Sequence, residues 1–185
     1  MLETFKKVID RFKNDCLLAG YEPLLEADVS AWLFHLFVTS SELDPTEVHL
    51  DTRVYNADGR FDIAVGPLKI GASGRPCVEA HSVIEIKIFP RIGFTDQQHR
   101  VHYEHILNDD LRKLGTLKPS IGFCSTLIFD GRRYLEGSYK GKNRREYLIN
   151  RRDQIAPSAH VFIIRPEGSN WYIDHEPPGM PANSD

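Results

Sequence analysis

Val83-Ile84-Glu85-Ile86-Lys87-Ile88 and, upstream of it, Arg60-Phe61-Asp62-Ile63-Ala64-Val65 are the stretches that decide the fold. β-Branched and aromatic residues recur in both stretches, and this composition predicts two β-strands. Side chains alternate between the two faces of a strand, so Glu85 and Lys87 are expected on the same face. Asp62 is expected on the face opposite the apolar residues of its own strand, Phe61, Ile63 and Val65.

If the two predicted strands pair, two carboxylates and one amine converge. Carboxylates that lie close together repel each other unless a cation neutralises them. A metal ion beside a lysine is able to activate water against a phosphodiester. Asp62, Glu85 and Lys87 therefore predict a metal site with hydrolytic chemistry.

The composition is ordinary for a globular protein. The chain has 185 residues, of which 41% are hydrophobic and 26% charged, and this length allows one domain with a buried core. The formal net charge of −3 neither indicates nor excludes a nucleic-acid partner, because a local basic patch can bind phosphates. The three widely spaced cysteines predict neither a zinc site nor a disulfide framework. No signal peptide and no membrane-spanning run is recognisable, so we expect a cytoplasmic protein with no membrane partner.

Periodicity and capping residues predict an alternation of helices and strands. Helices are predicted over residues 2–19, 24–40, 95–114 and 143–155. Strands are predicted over residues 47–55, 60–66, 82–89, 121–129, 159–164 and 171–173. This order predicts the α/β class, as a single domain with a central mixed β-sheet flanked by helices. We expect the domain over residues 1–175 and a disordered tail over residues 176–185.

The order of elements and acidic residues resembles the restriction-endonuclease-like PD-(D/E)XK nuclease superfamily over about residues 22–130. The matching residues are Glu26 on a helix, Asp62 on a strand, and Glu85-Ile86-Lys87 on the next strand. The resemblance implies a restriction-endonuclease-like αβββαβ core. It leaves residues 131–175 as a basic C-terminal extension.

The resemblance also implies a role for each matching residue. Asp62 and Glu85 would bind Mg²⁺, with Mn²⁺ as a substitute, and the backbone carbonyl of Ile86 would be a third ligand. Lys87 would activate water or stabilise developing charge. Glu26 would be an auxiliary ligand or would support the metal site, and Asp28 or Glu22 would replace it in another helix register.

Two features depart from the superfamily pattern. Phe61 occupies the position at which the motif's name has Pro, and the long gap between Asp62 and Glu85 makes residues 66–81 an insertion.

Some related nucleases have a Gln-x-x-x-Tyr signature on the following helix. Here Gln98 is followed by His102 and then Tyr103, so the spacing is off by one. Gln98 remains a candidate nucleic-acid-binding residue because it lies at the start of the helix after the Lys87 strand.

A basic segment, residues 132–152, is the second candidate for contact with nucleic acid. Basic residues neutralise phosphates, and the tyrosines between them can stack on bases. The alternative is a solvated helix, or pairing with acidic residues elsewhere in the chain. The candidate residues are Arg132, Arg133, Lys140, Lys142, Arg144 and Arg145.

Simpler interpretations stay open for the individual residues. Glu85 and Lys87 could form a surface pair on a half-exposed strand, and Asp62 could be a partner for Arg60. Glu26 could be a favourable charge at a helix start. His99, His102 and His105 are expected on a solvated or groove-facing helix face. Asp109 and Asp110 are expected on a solvated face, where they pair with Arg112 and Lys113.

These observations favour a metal-dependent nuclease that hydrolyses phosphodiester bonds, most simply an endonuclease acting on DNA. One alternative is a catalytically inactive nucleic-acid-binding or protein-interaction module on the same fold. Another is a structural or regulatory domain without a nucleic-acid role. A homodimer is compatible with the sequence.

Overall fold

A six-stranded mixed β-sheet forms the centre of the protein, as a computed structural model of residues 1–40 and 43–179 shows. The helices are α1 (Leu2–Phe12), α2 (Glu26–Ser40), α3 (Asp96–His105), α4 (Leu111–Gly115) and α5 (Arg144–Ile155). The strands are β1 (Val48–Arg53), β2 (Arg60–Val65), β3 (Leu68–Ile70), β4 (Pro76–Val78), β5 (Ser82–Ile88), β6 (Phe123–Phe129), β7 (Ser138–Tyr139), β8 (Lys142–Asn143), β9 (His160–Glu167) and β10 (Asn170–Glu176).

The strand order in the sheet is β1-β2-β5-β6-β9-β10. The pairs β1–β2, β2–β5 and β9–β10 are antiparallel, whereas β5–β6 and β6–β9 are parallel. The segment from α2 to β6 has the helix, three strands, helix and strand of the predicted αβββαβ core, with the β3–β4 hairpin added between β2 and β5. The predicted α/β class with a central mixed sheet flanked by helices is confirmed.

The sheet separates two hydrophobic clusters. Residues of α1 and α2 pack against one face, together with Ile63, Ile84 and Ile86. Residues of α3, α4 and α5 pack with Val83 and other residues of the opposite face. Burial of apolar side chains on both faces explains why every residue of β5 and β6 is buried.

Phe61 departs from the predicted face. It packs in the cluster on the α3 side, whereas Ile63 and Val65 pack on the other side. The β1–β2 register is irregular at this point, because it omits a pairing of Asp51 with Asp62, and Asp51 has a φ of 40°. This irregularity breaks the alternation on which the prediction rested.

Helix boundaries differ from the prediction where the helices depart from α geometry. The predicted helix over 2–19 is α-helical to Phe12 and continues as a π-helical turn, Lys13–Leu17. The predicted helix over 95–114 consists of α3, a π-helical turn (Ile106–Asp110) and α4. Residues 66–81, which were predicted to be an insertion, include the short β3–β4 hairpin.

The two C-terminal strands are longer than predicted, because β9 continues to Glu167 and β10 covers Asn170–Glu176. Strand β10 includes Glu176, which the prediction assigned to the tail, because Glu176 pairs with Val161 of β9. Residues 180–185 of the predicted tail lie outside the described residues. The three cysteines are buried free thiols. In the described ranges, no helix is both long and apolar enough to cross a bilayer.

Candidate active site

Strand β5 places Glu85 and Lys87 on the α3 side of the sheet, where both are buried. Glu85 is 2% exposed and Lys87 is 7% exposed. Ionised groups are rarely this buried unless other charges or a metal ion compensate them. Their burial excludes the simpler interpretation of a surface pair on a half-exposed strand.

Asp62 reaches β5 from the neighbouring strand. The β2–β5 register ends at the pair Ile63–Ile84, and beyond it the backbone N–H of Ile86 donates to Asp62 Oδ2 at 2.6 Å. Arg60 pairs with Asp51, so the simpler interpretation of Asp62 as its partner is wrong. The Asp62 carboxylate therefore lies beside β5, close to Glu85.

Glu26 is the first residue of α2 and completes the predicted group. Its Oε2 atom lies 3.2 Å from Lys87 Nζ, which also donates to the backbone carbonyl of Ile86 at 3.1 Å. Glu26 is therefore more than a favourable charge at a helix start. The structure brings together Glu26, Asp62, Glu85 and Lys87.

Two further charged residues belong to this site, although the sequence pattern predicted them on a solvated face. Asp110 is only 1% exposed, and its Oδ2 lies 3.6 Å from Lys87 Nζ. Lys113 Nζ lies 2.5 Å from Glu85 Oε1 and donates to the carbonyl of Arg60 at 2.7 Å. The prediction failed because it assumed a regular α-helix, whereas the π-helical turn Ile106–Asp110 rotates these residues relative to α3.

Burial and neighbouring charges shift the pKa values of Glu85 and Glu26, two members of the carboxylate cluster (Glu26, Asp62, Glu85 and Asp110). Burial, and then the nearby Asp62, raise the pKa of Glu85 to about 8, although Lys113 opposes this. Burial also raises the pKa of Glu26, against the effect of Lys87. Carboxyl groups with raised pKa values in a cleft are typical of functional sites.

At Lys87, nearby carboxylates have a larger effect on the pKa than burial has. Burial lowers the pKa of its ammonium, but Asp110, Glu26 and Asp62 outweigh burial and raise the pKa above its ordinary value. Lys87 is therefore a positively charged hydrogen-bond donor at neutral pH. It is not a base that could accept a proton from water.

The carboxylate cluster fits a divalent metal ion. Four carboxylates face only two lysines, and Lys113 already contacts Glu85 Oε1. Glu26 Oε1 and both oxygens of Asp110 are buried and accept no hydrogen bond, and their nearest cationic groups lie at 3.3 to 3.6 Å. Such oxygens are unfavourable unless a cation compensates them. Among residues 1–40 and 43–179, no group of three or more His, Cys, Asp or Glu side chains is arranged to hold a metal. A site with fewer than three protein ligands in place suits Mg²⁺, because Mg²⁺ commonly uses one or two carboxylates and completes its coordination with water and phosphate oxygens.

Two adjacent clefts open on this site. The smaller, which we call the site cleft, has a volume of about 300 Å³ and is lined by Glu26, Lys87, Val101, His102 and His105. The larger, the flanking cleft, has a volume of about 690 Å³, and its lining includes Arg60, Asp109, Arg112 and Lys113. His105 lines both clefts and therefore lies at their boundary.

The three predicted histidines of α3 differ in their surroundings. His99 is fully buried and lies beside the rings of Phe89, Phe94 and Tyr134, so its predicted place on a solvated face is wrong. His102 and His105 face the site cleft, in line with the alternative of a groove-facing helix surface. Tertiary packing on the α3 side explains the burial of His99, which helical spacing alone does not indicate.

Gln98 has a structural partner at the start of α3. Its side-chain oxygen accepts from the backbone N–H of Thr95 at 2.7 Å, and the Thr95 hydroxyl accepts from the backbone N–H of Gln98 at 3.2 Å. These two bonds form a capping box, which satisfies free N–H groups at the helix start. Gln98 is exposed, and it does not line the site cleft.

The predicted cations of the basic segment lie away from the carboxylate cluster, and most of them have partners. Arg132 pairs with Asp96 at 2.8 Å, and Arg133 with Glu136 at 2.6 Å. Arg144 donates to the Tyr134 carbonyl at 2.8 Å. Arg145 pairs with Asp174 and Glu176 at 2.7 and 2.6 Å, and Lys140 and Lys142 are exposed on the β7–β8 hairpin.

Comparison with known proteins adds one distant structural likeness. No family model matches the chain, and no curated protein matches it. The structure of SfsA from Pyrococcus furiosus in complex with Ca²⁺ is similar over 83% of this chain, with a TM-score of 0.35 and 10% sequence identity. The match spans 64% of the SfsA chain. The likeness is too distant to transfer a function to this chain.

Proposed function

We propose that the protein is a metal-dependent nuclease of the PD-(D/E)XK type that hydrolyses phosphodiester bonds, with DNA as the preferred substrate. The observation that supports this most is the convergence of Asp62, Glu85, Lys87 and Glu26 around β5, beside a cleft that Glu26 and Lys87 line. These are the residues that the resemblance assigned to one site. The excess of carboxylates over lysines explains why this site would bind a divalent cation, since Glu26 Oε1 and both Asp110 oxygens are buried and accept no hydrogen bond.

Asp62 and Glu85 would hold Mg²⁺ or Mn²⁺, and the Ile86 carbonyl has a lone pair left for the same ion after accepting from Lys87. The ion would polarise the scissile phosphate and lower the pKa of a bound water. Glu85 must be ionised to bind metal. Because its pKa is raised to about 8 without metal, metal binding would release a proton from it.

Lys87 would stabilise the negative charge that develops on the phosphate in the transition state. Of the two roles that the resemblance allowed, this one fits its raised pKa, because a protonated amine cannot remove a proton from water. Glu26 would position Lys87 through the 3.2 Å contact with its ammonium. Arg112, whose exposed side chain lines the flanking cleft, would contact the backbone phosphates next to the scissile one.

The direct test is incubation of the purified chain with supercoiled plasmid, linear duplex DNA, single-stranded DNA and single-stranded RNA, each with Mg²⁺ and with excess EDTA. Cleavage of a DNA substrate that needs Mg²⁺ supports the proposal. Asp62→Asn is the matched variant, because it removes a ligand charge and keeps the size of the side chain. Cleavage that persists in EDTA, or that is unchanged in Asp62→Asn, contradicts it.

One observation favours the alternative of a catalytically inactive nucleic-acid-binding module. The Lys113 ammonium already lies 2.5 Å from Glu85 Oε1, where a cation is needed. In an inactive module the two lysines would replace the metal permanently. Such a module would retard DNA in a gel at low salt and would cleave none of the substrates with Mg²⁺ or Mn²⁺.

A further inference from the structure

Exposed aliphatic residues border the opening of the site cleft, and neither metal binding nor Lys87 explains them. They come from three segments of the chain: the residues before α2, the loop between β5 and α3, and α3 itself. Each of these residues is between 45% and 68% exposed. We call them the apolar rim: Leu24, Leu25, Ile92 and Val101.

The start of α2 and helix α3 face each other across the site cleft. Val101 lines this cleft together with Glu26. Glu26 directly follows Leu25 in the chain, and its Oε1 atom lies 3.5 Å from Nδ1 of His102, the residue after Val101. Leu25 and Val101 therefore lie next to the two residues that meet at the cleft.

The loop between β5 and α3 is held to both of these segments. The backbone N–H of Arg91 donates to Glu22 Oε1 at 3.3 Å, which ties the loop to the residues before α2. The ring of Phe94 packs edge-on against the ring of His102, with 4.8 Å between their centroids. Ile92 lies between these two points of attachment, so it belongs to the same opening.

The two leucines of the rim have a fixed backbone. Asp28 Oδ2 accepts from the N–H of Leu24 at 3.1 Å and from the N–H of Leu25 at 2.9 Å. An apolar group whose backbone is already ordered loses less conformational entropy when it contacts a ligand. Exposed apolar residues that are clustered and ordered are typical of an interaction surface.

The rim is continuous with the cleft that would hold the scissile phosphate, and this determines what covers it. Glu85 and Lys87 are buried, so a phosphate has to enter between the rim residues to reach them. The base next to that phosphate, joined to it through one sugar, is then brought against the rim. Leucine and isoleucine side chains are known to separate stacked bases in this way. Unstacking has the lowest energetic cost where the base is unpaired.

We propose that the apolar rim packs against the base next to the scissile phosphate, and that the substrates are DNA strands whose bases are unpaired at the cleavage position. This inference rests on the proposed nuclease function and specifies its substrate class. Contact with aliphatic side chains is non-directional, so the rim selects unpaired bases without selecting a base sequence.

The test compares cleavage rates in Mg²⁺ for one oligonucleotide as a single strand and for the same oligonucleotide in a fully paired duplex. The unsubstituted protein should cleave the single strand at least about 10-fold faster, because the duplex has to be unstacked first. In the double variant Leu25→Ser and Val101→Ser, the two rates should lie within about threefold of each other. Leu68→Ser, which changes an exposed leucine of β3, is the matched control and should keep the preference.

A second readout does not need cleavage. The fluorescence of 2-aminopurine rises when this base leaves its stack. Lys87→Met with Mn²⁺ should raise the fluorescence of a single strand in which 2-aminopurine replaces every adenine. Addition of Leu25→Ser and Val101→Ser should abolish this rise.

The outcomes separate the rim from the nuclease proposal. Equal rates for the two substrates in the unsubstituted protein, or an unchanged preference in the double variant, would overturn the role of the rim while the nuclease activity stands. A dimer in sedimentation that the double variant dissociates would assign the rim to a second copy of the chain, and this role would be wrong. Failure of the unsubstituted protein to cleave either substrate would overturn the nuclease proposal, and this role with it.

Discussion

The carboxylate cluster and the basic segment use charged residues in opposite ways. In the cluster, four carboxylates face two lysines, and buried oxygens such as Glu26 Oε1 accept no hydrogen bond. In the basic segment, arginines such as Arg133 and Arg145 are matched by carboxylates at 2.6 to 2.7 Å. The carboxylate cluster has negative charge that a ligand must compensate. Much of the positive charge in the basic segment is compensated by carboxylates of the fold itself.

This difference shows that a count of basic residues is a poor measure of a nucleic-acid surface. Ion pairs with fixed geometry use arginines to hold the structure together, and each pair reduces the positive field available to a phosphate. Two cations beside the carboxylate cluster, Arg112 and Lys113, were predicted only as part of a solvated helix face. We therefore expect substitutions in the two regions to affect different properties.

The largest effect is expected on catalysis at the carboxylate cluster. Lys87→Met should lower the DNA cleavage rate at saturating Mg²⁺ by about 10³-fold, because it removes the positive charge beside the scissile phosphate. Lys142→Met is the matched control, since it removes an exposed lysine from the β7–β8 hairpin. Rates within threefold of each other for the two variants would refute the role of Lys87. Circular dichroism spectra should be the same for both variants.

A smaller effect, on stability, is expected in the basic segment. Arg145→Met should lower the free energy of unfolding by about 1 to 2 kcal/mol, because it leaves Asp174 and Glu176 without their half-buried partner. Urea denaturation measures this change. Lys140→Met is the control and should change the free energy by less than about 0.5 kcal/mol. If Arg145→Met weakens DNA binding and leaves stability unchanged, Arg145 is a DNA contact. The contrast between the carboxylate cluster and the basic segment is then wrong.

Replacing Glu85 with a residue that cannot ionise should stabilise the folded protein in metal-free buffer. The pKa of Glu85 is about 8 in the folded protein, against an ordinary value of 4.5. Between about pH 4.5 and 8, the carboxyl of Glu85 ionises in the unfolded chain but stays largely protonated in the folded protein. The folded protein therefore loses stability progressively as the pH rises through this range. Glu85→Gln cannot ionise, so it should be more stable than the unsubstituted protein at pH 8 by about 1 kcal/mol or more.

The measurement is the free energy of unfolding at pH 5 and pH 8 with EDTA present. The gain from Glu85→Gln should be larger at pH 8 than at pH 5. Asp153→Asn, which neutralises a carboxylate outside the cluster, should not reproduce this pH dependence. A stability gain that is the same at both pH values would contradict the raised pKa.

The smallest effect is expected for the exposed lysines of the β7–β8 hairpin. Within the described residues, neither Lys140 nor Lys142 has an ion-pair partner, so both retain charge for a phosphate. If they contact DNA, the double alanine variant should reduce the slope of log affinity against log salt by about 1 to 2. Arg133→Ala should change the slope less, because Arg133 is paired with Glu136. The reverse order would show that pairing does not decide which cations bind DNA.

The sequence predicted much of the fold because the apolar patterns of the main strands are strong. Strands β2, β5 and β6 lie within two residues of their predicted limits. The faces of these strands followed from the period of two, except at Phe61, where an irregular register breaks the alternation. A backbone irregularity of this kind leaves no trace in hydrophobic periodicity.

The candidate site was predictable only in its strand and helix-start residues. Asp62, Glu85, Lys87 and Glu26 are close together because strand pairing and the start of α2 determine their positions. Asp110 was not predictable, since a π-helical turn rather than an α-helix turns it towards Lys87. The partners of the basic segment were equally hidden, because they come from β10 and other distant parts of the chain.

The most direct measurement of the central claim is a calorimetric titration of Mn²⁺ into the metal-free protein at pH 8, with Asp62→Asn and Arg145→Met as variants. Because the carboxylate cluster has charge that the fold leaves uncompensated, the unsubstituted protein and Arg145→Met should bind Mn²⁺ with the same affinity. Asp62→Asn should bind at least about 10-fold more weakly, since it removes a carboxylate ligand. Absence of Mn²⁺ binding, or equal affinity in Asp62→Asn, would contradict the claim that this cluster is a divalent-cation site.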